Sequence, residues 1–492
     1  MIPDSLLTRG LIYTLAVVQT AVAPFAFFYY VYYITTENKL FTVHSSVDTF
    51  VHYWLGCELM FYVFFEITRN RMQRILPSVA PSAKERSDLF ALCLANIEDP
   101  KTWLPDWFMI HGNASQHPQF EDIGRDNIAE WLSWAFFALP LEDVLQDDSL
   151  TNELNSMIDR LEQEFHVKFD HGYHEDLVAY RINLDPVQAY HRPLGFYSLI
   201  LLCTTLFHCV CQHVWGFKKF GPETRSTIWS LMEPQQSYDS VVTTPQHPER
   251  VSYWFRDGNR TKKPVVFIHG IGAGLMCYIP FIAKLLTLDA PIFFIELPYV
   301  SMHCIEDVPT MQETVQDLQN MLHRHEFQGA VFVAHSLGTA VTSWVVKYMH
   351  KKVAGVVLLD PICFMLHYKD VCTNFVYRTP KTAAQSLVKY FASTELYISY
   401  YISRHFHWFQ TALFVKPNVA HYQHSYTTSV KMPENTKIFL SEKDNIIDSM
   451  RVDTYLNRHG IESTIMKGLD HASFLFYPSW QNQILDTIQR FL

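Results

Sequence analysis

The chain has 492 residues, a formal net charge of −10 and 15% aromatic residues. That length holds a full globular domain and a second region. The acidic balance, with a pI near 6.2, leaves no basic footprint and excludes nucleic acid as the expected partner. The nine cysteines are scattered and odd in number, with no C-x-x-C pair, so they indicate neither a zinc site nor a disulfide scaffold.

Leu11 to Ile34 is uncharged and mostly apolar. At about 1.5 Å per residue it can cross a hydrocarbon core of about 30 Å. Pro24 directly follows the cleavage-like Ala21-Val22-Ala23, and the apolar run continues past it, which favours a retained anchor over a removed leader. Tyr29, Tyr30, Tyr32 and Tyr33 suit a membrane interface. Phe50 to Ile67 is a second apolar stretch, but it carries Glu58 and Glu66 and leads into Arg69, Arg71 and Arg74. Carboxylates are costly inside lipid, so this pattern predicts an amphipathic helix at headgroup level, or else a helix packed on the folded region.

From Pro77 to Pro186 the pattern is that of a soluble helical region, with helices expected around Ile128–Ala138 and Asn152–Phe165. His117 to Asp122 fits the H-x4-D pattern of glycerolipid acyltransferases, but their other motifs are missing. Leu194 to Gly216 is a third apolar stretch, read as a second span or a deep hairpin arm, with a buried helix docked near the catalytic mouth as the alternative. The expected organisation is a helical membrane region over 1–218 with spans near 11–34 and 194–216, a linker over 219–237, and a catalytic region over 238–492.

The catalytic region alternates strand-like runs with helical stretches: Val251–Phe255, Val265–Ile268, Ile292–Ile295, Ala330–Ala334, Val356–Leu359, Lys437–Leu440 and Ser463–Met466. This predicts a mainly parallel sheet with helices on both faces. Pro264 to Ile268 runs into His269-Gly270-Ile271-Gly272-Ala273-Gly274. Its glycines let the backbone turn tightly and expose amides. A phosphate loop is the rival, weakened by the lack of a G-K-[ST] ending. Val331 to Ala340 reads as strand, sharp turn and helix with Ser336 at the apex, flanked at two residues on either side by Ala334 and Gly338. The alternative is a serine that merely caps a helix. Asp444 follows the expected strand at Thr436–Ser441, and His471 follows Ser463–Met466. The order Ser336, Asp444, His471 supplies a nucleophile, an orienting acid and a base. Asp360, after the strand ending at Leu359, is the competing acid.

These residues resemble the α/β-hydrolase superfamily over roughly Tyr238 to Leu492, with one departure: Ala334 stands where the usual G-x-S-x-G elbow has glycine. The resemblance implies an α/β fold with a helical lid near 361–432, and ester, thioester or amide chemistry at Ser336. It implies oxyanion donors at the amides of Ile271 and Leu337, support of the loop and elbow from His269, Gly270, Gly272, Ala334 and Gly338, and no cofactor or metal. The lid is rich in aromatics, with His405, His407, His421 and His424 among them in no metal-ligand spacing. The N-terminal half is similar to membrane regions fused to hydrolases in fungi. Together these expectations describe an integral membrane serine hydrolase of the endoplasmic reticulum or of lipid droplets, acting on membrane lipid or other hydrophobic acyl esters. An acyltransferase on the same fold and a catalytically silent membrane scaffold are the alternatives.

Overall fold

The computed structural model describes residues 4–38, 45–77, 80–112, 116–222, 249–416 and 429–492. Its central sheet has eight strands: β1 (Lys218–Phe220), β2 (Tyr253–Arg256), β3 (Val265–Ile268), β4 (Ile292–Ile295), β5 (Ala330–His335), β6 (Val353–Leu359), β7 (Thr436–Ser441) and β8 (Ser463–Met466). The order across the sheet is β8-β7-β6-β5-β3-β4-β2-β1. Strands β3 to β8 pair in parallel, and β1 and β2 form an antiparallel edge. The central strands are continuous apolar runs because helices cover both of their faces. Val265, Val266, Phe267 and Ile268 accordingly have no exposed surface.

Lys219 and Phe220, which the sequence assigned to the start of a linker, lie in β1 and pair with Trp254 and Tyr253. A lysine pair suits a sheet edge, where charge blocks further strand addition. The rest of the expected linker falls mostly on residues outside those described.

Among the described residues, three helices are long and apolar enough to cross a membrane: α1 (Leu6–Thr36), α2 (Ser45–Met72) and α3 (Leu194–Cys209, which continues as a π turn to Val214). Leu11, Phe28, Phe50, Met60, Leu201 and Leu206 on these helices are exposed, as side chains meeting lipid would be. The carboxylates that argued for an interfacial α2 are both partnered. Glu58 is buried and accepts the amides of Leu194 (2.7 Å) and Gly195 (3.0 Å), capping α3 from a neighbouring helix. Glu66 pairs with Arg69 at 2.6 Å.

The helices between α2 and α3 do not form a separate body. Leu89, Trp103, Trp131 and Phe136 belong to the same apolar cluster as Val266, Ile268 and Leu358 of the sheet. Polar contacts fix this packing. Trp103 Nε1 donates to His367 O (2.7 Å) and Trp408 Nε1 to Ala135 O (2.7 Å). The buried Arg404 guanidinium donates to the carbonyls of Gln73 (3.0 Å), Arg74 (3.1 Å) and Asp185 (3.0 Å), near the end of α2. Arg192, with no exposed surface, reaches Tyr390 O and Thr394 Oγ1 in the lid.

Helix α4 (Gly338–Tyr348) follows β5. Between β6 and β7 the lid carries α5 (Ala383–Val388) and the short helices Leu396–Tyr400 and Trp408–Thr411. Helix α5 begins against α1, where Ala383 N donates to Asp4 Oδ1 at 2.9 Å. His421 and His424 lie outside the described residues.

Candidate active site

Ser336 sits at the junction of β5 and α4 with φ +50°, the left-handed region that non-glycine residues rarely adopt. Its N–H donates to Leu359 O of β6 (3.0 Å), which holds the turn against the sheet. The turn needs small neighbours. A Cβ on Gly338 would stand 2.3 Å from Ile268 O and 2.8 Å from His269 O, so the close passage of α4 over β3 admits no side chain there. A Cβ on Gly270 would stand 2.8 Å from Ser336 Cβ. Ala334, by contrast, is accommodated with no exposed surface.

The strand ends bring three residues into one line. His471 Nε2 is 2.9 Å from Ser336 Oγ, and His471 Nδ1 is 2.7 Å from Asp444 Oδ2. Asp444 Oδ1 accepts the amides of Ile446 (2.7 Å) and Ile447 (3.1 Å), which fix the carboxylate. With Nδ1–H donated to Asp444, Nε2 is left to accept from the serine hydroxyl. Burial pulls the His471 pKa down, but the charge and hydrogen bond of Asp444 outweigh it, with Asp360 and Asp470 adding to them, and the net direction is upward from 6.5.

Asp360 lies beside this line but does not hold the histidine. It is fully buried at φ +45° and accepts Ser441 N (2.7 Å), Ser441 Oγ (3.0 Å) and Ala472 N (3.0 Å). Burial, then the neighbouring Asp444 charge, raises its pKa well above the usual carboxylate value. Asp360, Asp444 and His471 are the one grouping among the described residues with metal-like spacing. Their facing atoms are already engaged by the hydrogen bonds above, so the set does not fit an ion.

The loop after β3 faces the serine. Gly272 N donates to Val300 O (3.2 Å) and anchors it. His269 is buried, with Nδ1 2.8 Å from Gly270 O and Nε2 accepting Leu297 N at 3.0 Å. It therefore braces the loop, and burial lowers its pKa to about 4. Ile271 and Leu337 line the same cavity as Ser336.

Sequence reasoning did not single out Tyr278 and His335. Gly270 N donates to Tyr278 Oη (2.9 Å), whose hydroxyl lies 2.6 Å from His335 Nδ1. Since Tyr278 accepts from Gly270, its own proton goes to His335, which ties the loop after β3 to the residue before Ser336. Burial, then the charges of His471 and His269, holds the His335 pKa well below 6.5, as a neutral acceptor requires. The available signal was the position of His335 immediately before Ser336.

A cavity of about 900 Å³ contains Ser336 and His471 in its wall. Its lining is mainly apolar, including Ile362, Leu366, Phe375, Leu387 and Phe391. This volume lies near the upper end of the usual range for ligand pockets.

No family model matches the chain, and no curated protein matches it. Among solved structures, the carboxylesterase CesB from Bacillus subtilis is 13% identical, covering 60% of this chain and 97% of its own, with a TM-score of 0.37. Naproxen esterase from Bacillus subtilis is 13% identical, covering 57% and 94%, with a TM-score of 0.35. A bacterial membrane phospholipase A is 11% identical, covering 60% and 94%, with a TM-score of 0.36. The resemblance of the N-terminal half to fungal membrane regions finds no support in these comparisons. The fold follows from strand order, pairing direction and the turn at Ser336: this chain has the α/β-hydrolase fold, extended by an N-terminal helical region with apolar helices.

Proposed function

We propose that the protein is a membrane-held serine hydrolase that cleaves lipid or other hydrophobic carboxylic esters through an acyl-serine intermediate. The observation that carries this reading is the continuous hydrogen-bonded line from Ser336 Oγ through His471 to Asp444, in the wall of a large apolar cavity.

In this reading His471 Nε2 takes the hydroxyl proton as Ser336 Oγ attacks the ester carbonyl carbon. The oxygen that becomes negative is met by the amides of Ile271 and Leu337, and each such donor is worth about 10²–10³ in rate. The tetrahedral adduct collapses with loss of the alkoxy group, which leaves as an alcohol carrying the proton from His471. A water molecule then gives its proton to His471 and attacks the acyl-serine. The second collapse releases the carboxylic acid and returns the proton to Ser336 Oγ. Asp444 keeps the ring in the Nδ1–H tautomer and balances the transient imidazolium. Helices α1, α2 and α3 serve as the anchor, and anchoring raises the effective concentration of a lipid substrate at the site.

The test is hydrolysis of long-chain glycerol esters by the full chain in membranes, compared with Ser336→Ala. Turnover that the substitution abolishes supports the reading. Equal fatty-acid release by both forms overturns it.

A further inference from the structure

The catalytic cavity is not walled by the catalytic region alone. Trp107, Trp134, Ile182 and Asn183 all come from the helical region that precedes α3, and they line the cavity together with Phe406 of the lid. Composition gave that region no role beyond being helical. Its place in the cavity wall supplies one.

The wall is built to present carbon. Trp107 Nε1 donates to His367 O (3.3 Å), and Trp134 Nε1 donates to Asn183 Oδ1 (3.2 Å). Asn183 Nδ2 in turn donates to Phe406 O (3.0 Å). The polar atoms are thus bonded to one another or to backbone. A surface of this kind suits methylene groups and offers nothing to a charged head group. Trp107 and Trp134 belong to the same apolar cluster as Ile128, Leu132 and Phe108, none of which has exposed surface.

We propose that the N-terminal helical region is the ruler of the acyl site, with Trp107, Trp134 and Ile182 forming the fixed stop against which the acyl chain ends. The proposal rests on the ester-hydrolase reading and adds chain-length selection to it. Under it, the N-terminal half is part of the substrate site as well as an anchor. Adding bulk at the stop shortens the chain accepted, and removing bulk lengthens it.

The experiment uses the full chain in detergent micelles and p-nitrophenyl esters from butyrate to palmitate. Its readout is the ratio of kcat/KM for palmitate to that for butyrate. Ile182→Trp is expected to lower this ratio by about tenfold or more and Ile182→Ala to raise it, the scale on which pockets discriminate single methylenes. Leu161→Val, buried in the same region but not on the cavity wall, is expected to keep the native ratio. If both Ile182 variants keep it too, or if Leu161→Val shifts it as much as they do, the proposal is overturned. If the native chain cleaves none of the esters, the ester-hydrolase reading fails first and the ruler falls with it.

Discussion

Asp360 and Asp444 follow adjacent strands of the sheet, and of the two it is Asp444 that holds the ring of His471, at 2.7 Å. Asp360 instead binds Ser441 and the amide of Ala472, the residue after His471. The two carboxylates therefore separate by experiment. Asp444→Asn presents the wrong group to His471 Nδ1 and is expected to lower kcat by about four orders of magnitude, with the melting temperature nearly native. Asp360→Asn turns one acceptor into a donor facing another donor. It is expected to cost about 1–3 kcal/mol of stability, while the midpoint of the remaining activity moves down by less than in Asp444→Asn, because Asp360 is the lesser of the two charges acting on His471. Parallel measurement of kcat and thermal unfolding checks both, and the reverse pattern would assign the acid to Asp360.

The pH dependence follows from the same pair. Burial lowers the affinity of His471 for its proton, and Asp444 more than restores it, so the ring titrates above 6.5. Only the neutral ring accepts the serine proton. Ester kcat/KM should therefore rise with pH along one limb whose midpoint lies above 6.5. In Asp444→Asn the stabilising charge is gone, and the midpoint of the residual activity should move down. A native profile already flat below pH 6.5 would contradict the assignment.

The turn at Ser336 makes unequal demands on its two flanks. At Gly338 a Cβ would meet backbone oxygens at 2.3 and 2.8 Å, and backbone cannot step aside cheaply. Gly338→Ala is expected to lower both the yield of folded protein and the activity. Ala334→Gly, which restores the more usual residue, is expected to keep activity within a few-fold and to cost about 0.5–1 kcal/mol from added chain freedom in β5. Expression, melting temperature and kcat on a short ester read out both changes.

Arg404 joins the lid to the N-terminal half through the carbonyls of Gln73, Arg74 and Asp185. Arg404→Ala strands these acceptors in a buried setting and is expected to cost about 3 kcal/mol. The loss should appear as a lower melting temperature in detergent and as protease cleavage within the lid. An unchanged melting temperature would show that the lid holds without this contact.

The sheet of the C-terminal half was legible in sequence, and so was the meeting of the candidate residues, because each follows its own strand and strand-ending loops converge at one edge of a parallel sheet. Val265–Ile268 and Ser463–Met466 fall where their apolar runs put them. Long-range partnership was not legible. Glu58 read as a carboxylate at odds with lipid, and nothing local announces that it caps a helix starting at Leu194. Trp134 falls in the helix expected around Ile128–Ala138 and Trp107 in the surrounding helical region, but helical spacing reports that a face is buried and not what it faces. The short, polar β1 carries no apolar alternation, so its pairing with β2 could not be seen in composition.

The most direct measurement is mass-spectrometric mapping of a fluorophosphonate adduct on the full chain in detergent. The account predicts a single adduct on the peptide containing Ser336, formed faster as pH rises through the His471 titration and absent in Ser336→Ala. A folded protein that takes no label, or one labelled equally in Ser336→Ala, would contradict it.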